Sequence, residues 1–234
     1  HGAMCMAYSG RCLLSLATTG REANRGACAQ PCRWVFRGGP PRDELAHTLA
    51  VEQDDRGSYL FSAGELCMYD YLDRLLALGL DSLKIEGRMK SLHYVATVVN
   101  AYRMGIDAVS AGRPLPEAGR RELAAIKHRP YDTGFYFGQP GGVERHAPEA
   151  PEAKVAAIVR GCDEGGAWVE QRFPFARGDE LSVLSPGQAP WSFTADRMED
   201  DQGQPIARAP HPQMRVRLHP PRPLKPWDIL RLHP

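Results

Sequence analysis

Residues 65–112 read ELCMYDYLDRLLALGLDSLKIEGRMKSLHYVATVVNAYRMGIDAVSAG, and their rhythm decides the fold class. Glu65–Leu78 is expected as a helix, with Leu66, Tyr69, Leu72 and Leu76 on one face and Gly79 closing its C-terminus. Leu80–Ile85 is a short apolar run suited to a strand. Ser91 can cap a second helix, in which Val95, Val98, Val99, Tyr102 and Ile106 form one stripe and which ends near Gly112-Arg113-Pro114. Strand, helix, strand, helix with short connections is the pattern of a parallel α/β sheet or barrel. Two such units cannot close a barrel of eight, so the sequence is expected to start partway through one.

Upstream, HGAMCMAYSGRC has neither a charged segment nor the apolar core of a signal peptide, and Gly10–Gly26 is expected as a long functional loop. Residues 34–61 suit two short strands around a polar connection containing Pro40-Pro41 and Asp54-Asp55. Downstream of Pro114 a short helix is expected around Arg120–Lys127, followed by the turn-rich, aromatic run RPYDTGFYFGQPGG. The rhythm then becomes all-β. Lys154–Val159, Ala167–Gln171, Glu180–Leu184, Trp191–Ala195, Arg215–Leu218 and Asp228–Leu232 are strand candidates separated by Gly, Asp and Pro turns, the spacing of a small β-barrel. The expected organisation is an α/β part over 1–113, a linker over 114–152 and a β-barrel over 153–234.

The chain has 234 residues, 43% hydrophobic and 24% charged, with 29 basic against 28 acidic residues. That balance excludes a disordered chain and a coiled coil, and no apolar run approaches the ~18–20 residues of a bilayer span. Charge is uneven, however. Residues 1–42 carry six arginines against Glu22 alone, and residues 203–234 carry five arginines and Lys225 against Asp228. Nothing points to secretion, so reduced thiols and a cytoplasmic setting are expected.

Five of the six cysteines (5, 12, 28, 32, 67 and 162) fall within the first 67 residues. The spacing is neither a zinc ribbon nor a thioredoxin pair. Irregularly spaced thiolates from separate loops suit an iron–sulfur centre, although free cysteines also serve as small buried apolar side chains. The segment from Asp81 to Ser91 is a second constellation. Glu86, Arg88 and Lys90 would sit at a strand's C-terminal end with Lys84 just before them, and could bind an acidic small molecule. The same residues also suit a structural ion pair closing a strand–helix turn. No zinc-hydrolase, nucleophile-elbow or phosphate-loop pattern occurs, and Ser9 and Ser15 have no local partner base. Tyr131, Phe135, Tyr136 and Phe137 could stack on bases or fill a seam between domains.

HGAMCMAYSGRCLLS, GREANRGACAQPCR and LKIEGRMKS together resemble the signature region of the U32 peptidase family, the collagenase-like proteases. The wording is most similar to the branch that hydroxylates the wobble uridine of tRNA at C5 with prephenate as oxygen donor. The resemblance implies the closing units of a TIM-type (β/α) barrel followed by a small C-terminal β-barrel. It implies a 4Fe-4S cluster on Cys5, Cys12, Cys28 and Cys67, with Cys32 a possible substitute and Cys162 structural. It implies an enzyme in which Glu86 and Arg88 act at the site and Lys84 and Lys90 help anchor the prephenate dicarboxylate. tRNA phosphates would fall to Arg11, Arg25, Arg33 and the basic C-terminal stretch. A collagenase-like peptidase is the alternative activity.

Overall fold

The computed structural model describes residues 1–5, 14–33, 52–54, 57–59, 64–138 and 153–232. They form two units: Gly2–Leu66 with Pro130–Arg145, and His1 with Cys67–Arg129 and His146–Pro234.

The first unit holds β1 (Gly2–Ala3), α1 (Leu14–Thr19), β2 (Glu52–Asp54), β3 (Gly57–Tyr59), β4 (Glu65–Leu66) and β5 (Tyr131–Asp132). The strand β4 lies between β1, to which it is antiparallel, and β5, to which it is parallel. The antiparallel pair β2/β3 falls within 34–61, but β2 takes in Asp54, which is expected in the polar connection; the rest of that segment lies outside the described residues. The expected long loop from Gly10 to Gly26 instead contains α1, in which Thr18 and Thr19 turn their hydroxyls back onto Leu14 O and Ser15 O (both 2.7 Å). Those bonds occupy the threonine hydroxyls within the helix, where a loop reading expected them to compete with it.

The second unit combines three helices with the C-terminal sheet. Glu65–Leu78 is not one helix. Glu65 and Leu66 are drawn into β4, a 3₁₀ turn covers Tyr69–Tyr71, and α2 spans only Leu72–Ala77. The Met68 amide donates to Tyr102 Oη (3.0 Å), which fixes the chain between strand and helix. Gly79, at φ 67°, follows the helix end in the left-handed conformation expected of it. Leu80–Ile85 forms no strand; Lys84 O accepts from the His1 nitrogen and Glu86 N donates to His1 O.

The helix α3 (Leu92–Ser110) starts as expected, with Ser91 Oγ accepting from Tyr94 N. Its buried side is broader than a stripe and turned away from Val99, which is 48% exposed, toward Tyr94, Val98, Ala101, Tyr102, Met104 and Ala108. Two neighbours cause this. One is α4 (Glu117–Ala125), the helix expected around Arg120. The other is the sheet's 185–188 turn, held by Asn100: its Nδ2 donates to Gln188 O (3.1 Å) and its Oδ1 accepts from Gly187 N (2.6 Å).

The sheet region comprises β6 (Lys154–Asp163), β7 (Gly166–Gln171), β8 (Phe175–Ala176), β9 (Glu180–Leu184), β10 (Trp191–Thr194), β11 (Met198–Glu199), β12 (Arg208–Ala209), β13 (Arg215–Leu218) and β14 (Ile229–Leu232). Seven strands form a curled half-barrel in the order β10-β9-β14-β6-β7-β13-β11, and β8 pairs with β12. Alternate residues point inward, so Val159, Ala167, Val169, Leu181, Val183, Val216, Leu218 and Leu230 build one core. Irregular register between Val159 and Gly161, and between Leu230 and Arg231, marks bulges of the kind that bend strands into a curl. The six strand candidates are all present. The two-residue strands β8, β11 and β12 are too short to show a period.

Candidate functional site

The most closely knit of the expected site residues are gathered around Tyr102 in α3. Cys67 follows β4 directly, and its sulfur is hydrogen-bonded by the Tyr69 amide and by the Tyr102 hydroxyl. Burial pushes the Cys67 thiol up, while these two donors favour its thiolate. Burial, followed by the proximity of Cys67, raises the Tyr102 phenol as well. Tyr102 Oη also stands 3.2 Å from His1 Nδ1, and the two rings meet edge-on with centroids 5.3 Å apart. The His1 nitrogen donates to Lys84 O (3.1 Å) and its carbonyl accepts from Glu86 N (2.8 Å). His1 thus connects the Glu86 turn to the tyrosine that touches Cys67.

Within that turn Glu86 Oε1 accepts from the Arg88 amide (3.0 Å), so the carboxylate braces its own backbone. Lys90 Nζ lies 4.5 Å from the Tyr94 ring centroid. The turn therefore presents three cationic side chains, Lys84, Arg88 and Lys90, on a carboxylate-braced frame.

Cys5, Cys28, Cys32 and Arg25 belong to the other unit. Cys5 is exposed and, with Met4, Leu66, Gly134, Phe135 and Tyr136, lines a largely apolar cavity of about 440 Å³. Cys28 Sγ accepts from the Gln30 amide (3.3 Å), the same two-residue relation that Cys67 has with Tyr69. Ser15 is fully buried and its Oγ accepts from Ala29 N (3.0 Å), so this hydroxyl fixes the cysteine loop. Cys32 sits in the 3₁₀ turn Pro31–Arg33. Arg25 is exposed beside Glu22, at 3.3 Å. Cys12, Arg11, Ser9 and the side chain of Arg33 lie outside the described residues. Phe135, Tyr136 and Phe137 are exposed.

Cys5, Cys28, Cys32, Cys67 and Cys162 are free thiols. Among the described residues no three His, Cys, Asp or Glu side chains are grouped to hold a metal ion. The donor chemistry nevertheless suits an iron–sulfur centre: soft sulfurs in the thiol state, two of them receiving amide N–H bonds of the kind that tune cluster sulfurs. Cys162 is exposed in β6 and donates to Leu224 O (3.1 Å).

Two participants escape sequence reasoning: Tyr102 lies on a helical stripe that reads as core, and His1 belongs to no local motif. In the basic C-terminal stretch, Arg231 is buried against Glu122 and is withdrawn from any surface role.

The family description "Peptidase family U32" matches residues 1–146, and "Peptidase family U32 C-terminal domain" matches residues 151–231. The chain is 35% identical to tRNA hydroxylation protein P1 of Bacillus subtilis over 99% of its own length and 56% of that protein. It is 28% identical to tRNA hydroxylation protein P of Escherichia coli over 90% of its length and 56% of that protein. A collagenase of Porphyromonas gingivalis is 38% identical over 62% of this chain and 34% of its own length. The chain thus spans little more than half the length of the two tRNA hydroxylation proteins. No described helix is long and apolar enough to cross a membrane.

Proposed function

Because the chain belongs to peptidase family U32, we propose that it takes part in tRNA modification, hydroxylating the wobble uridine at C5 with prephenate as oxygen donor. The observation that carries this reading is coverage. Similarity to the Bacillus protein runs over 99% of the chain, sheet region included, whereas similarity to the collagenase spans 62%. The same reading makes the α/β part the closing portion of a TIM-type barrel and sets the protein in the cytoplasm, where thiols stay reduced.

In this proposal Cys5, Cys12, Cys28 and Cys67 hold a 4Fe-4S cluster, with Cys32 able to replace a ligand. Such a cluster supplies an electron-transfer centre whose potential depends on hydrogen bonds to its sulfurs. The Gln30 amide, the Tyr69 amide and the Tyr102 hydroxyl are those donors here. Lys84, Arg88 and Lys90 anchor the two carboxylates of prephenate, Arg88 through its two-pronged guanidinium. Glu86 keeps their turn in shape by accepting the Arg88 amide. Arg11, Arg25 and Arg33 take tRNA phosphates, which makes binding weaken steeply with salt.

Anaerobic purification tests the cluster. A broad absorption near 400 nm with about four irons and matching sulfide per chain is expected, and colourless protein holding zinc would overturn it. Nucleoside analysis of tRNA from cells lacking and regaining the protein tests the reaction. The names of the collagenase relatives favour proteolysis as a second reading. On that reading, replacing the four cysteines leaves peptide cleavage intact; on ours it abolishes tRNA hydroxylation.

A further inference from the structure

The outward side of β6, β7 and β13 carries a continuous band of guanidinium and indole groups that the site described above does not use. At one end Trp227, 68% exposed, lies with the Arg160 guanidinium 4.8 Å from its ring centroid. Arg160 holds Glu170 through two contacts, Nε to Oε2 at 3.0 Å and Nη2 to Oε1 at 3.2 Å. Glu170 also pairs with Arg172 (2.5 Å) and faces Arg215 across the ladder. Two rungs on, Trp168 faces Arg217, and the guanidiniums of Arg215 and Arg217 each lie 5.3 Å from the Trp168 centroid. Asp163 closes the band by pairing with Arg217 and accepting from Trp168 Nε1. Three of the four arginines are thus held by two carboxylates, and Arg215 has no ion-pair partner among the described residues.

A second observation concerns the backbone. Trp227 is held at φ 76°, a region that bulky side chains rarely occupy. The turn is pinned there by Trp227 N to Val159 O (2.8 Å), Val159 N to Asp228 O (2.9 Å) and Lys225 N to Asp228 Oδ2 (2.8 Å). The strain presents an indole to solvent and fills no core. Strain maintained for an exposed side chain points to use of that side chain.

We propose that this band is an RNA-binding face, on which Trp227 stacks on an unpaired base while Arg172 and Arg215 take neighbouring phosphates. The excess of guanidiniums is complementary to a polyanion, and their planar forks match phosphate oxygens. The exposed indole backed by a guanidinium distinguishes RNA from an acidic protein, because it offers a flat face to a base of any identity. The inference rests on the reading that tRNA is the substrate, and adds a place on the sheet region where it is held.

The test measures binding of fluorescently labelled, unfractionated tRNA to the purified chain across a salt series, with polyglutamate as competitor. Trp227→Ala is expected to weaken binding roughly 5- to 150-fold, the range for one stacked base, with the salt slope unchanged. Trp227→Phe should restore most of the affinity. Trp227→Gly, which suits the positive φ, should behave like Trp227→Ala and guards against a folding artefact. Arg215→Ala should weaken binding and flatten the slope of log K against log salt by about 0.7–0.9. If tRNA binds and all these variants bind as the parent does, the face is not the RNA site, and the tRNA reading stands without it. If polyglutamate competes as well as tRNA and Trp227→Ala is silent, the band is a site for acidic protein and the inference fails. If the parent chain binds no tRNA at all, the inference and the reading beneath it fall together.

Discussion

Arg231 and Glu122 meet in a two-pronged ion pair, Nη1 to Oε2 at 2.6 Å and Nη2 to Oε1 at 3.3 Å, with the arginine residue only 2% exposed. The pair joins β14 to α4. Arg231 Nη2 also donates to Ser182 Oγ in β9 (2.9 Å), and His93 Nε2 of α3 stands 3.5 Å from Nη1. One guanidinium of β14 therefore touches two helices and a second strand. Removing only one partner leaves the other charge buried, which costs far more than the net worth of the pair. Glu122→Ala should lower unfolding stability by about 3–5 kcal/mol, read from the urea midpoint. The double change Glu122→Leu with Arg231→Met should recover much of that loss. A cost below about 1 kcal/mol, the worth of an exposed pair, would mean that the pair does not hold the joint.

Gly119 in α4 is fixed by Tyr69, because a Cβ there would fall 2.1 Å from Tyr69 Oη and 2.5 Å from its Cζ. The phenol cannot simply move away, since Tyr69 is buried and donates to Pro116 O (2.9 Å). Gly119→Ala gains up to about 1 kcal/mol of helix propensity and loses about 1–3 kcal/mol to overpacking, so a lower melting temperature is expected. Tyr69→Phe removes the atom nearest the new methyl. In that background Gly119→Ala should cost less, and an unchanged cost would show that the clash lies elsewhere.

The sheet was legible because its strands alternate over several residues. In β7, Ala167, Val169 and Gln171 turn inward while Trp168 and Glu170 turn outward, and period-two patterns of this kind belong to the local chain. What the sequence hid depends on distant partners. Leu66, Tyr69 and Leu72 have helical spacing, yet Glu65–Leu66 joins a sheet because Gly2–Ala3 and Tyr131–Asp132 pair with it. Arg231 was counted as surface charge because its partner lies 109 residues away. The cysteines and the Glu86 turn stood out by composition and position. The Tyr102 hydroxyl at Cys67 did not, since a tyrosine on a helical stripe reads as packing.

The sheet should lose stability in acid. Glu199 in β11 is held below the usual carboxylate range mainly by its hydrogen bond to Arg197, with His219 adding to the effect. Arg217 does the same for Asp163, and Arg160 for Glu170. Each folded pKa lies below the unfolded value of about 4. The stability these groups contribute is therefore complete above that value and disappears as pH falls through the folded pKa. Melting temperature should decline from about pH 4.5 downward. Glu199→Gln should melt below the parent at pH 7 and approach it at pH 2.5. A constant gap between the two across that range would deny Glu199 its lowered pKa.

Thiol reactivity should separate the cysteines in a fixed order. Burial pushes the Cys67 thiol up, so little of it is the reactive thiolate near neutral pH, whereas Cys5 is open to solvent. In metal-free protein, iodoacetamide at pH 7.5 followed by peptide mass spectrometry should find Cys5 modified well before Cys67, and raising the pH should accelerate Cys67. Tyr102→Phe deletes a hydrogen bond that favours the thiolate, so it should slow Cys67 further if access is unchanged. After reconstitution with iron and sulfide, Cys5, Cys12, Cys28 and Cys67 should become protected together while Cys162 still reacts. Protection of Cys67 without Cys5 would exclude a cluster shared by the two, because a common inorganic core shields all its ligands at once.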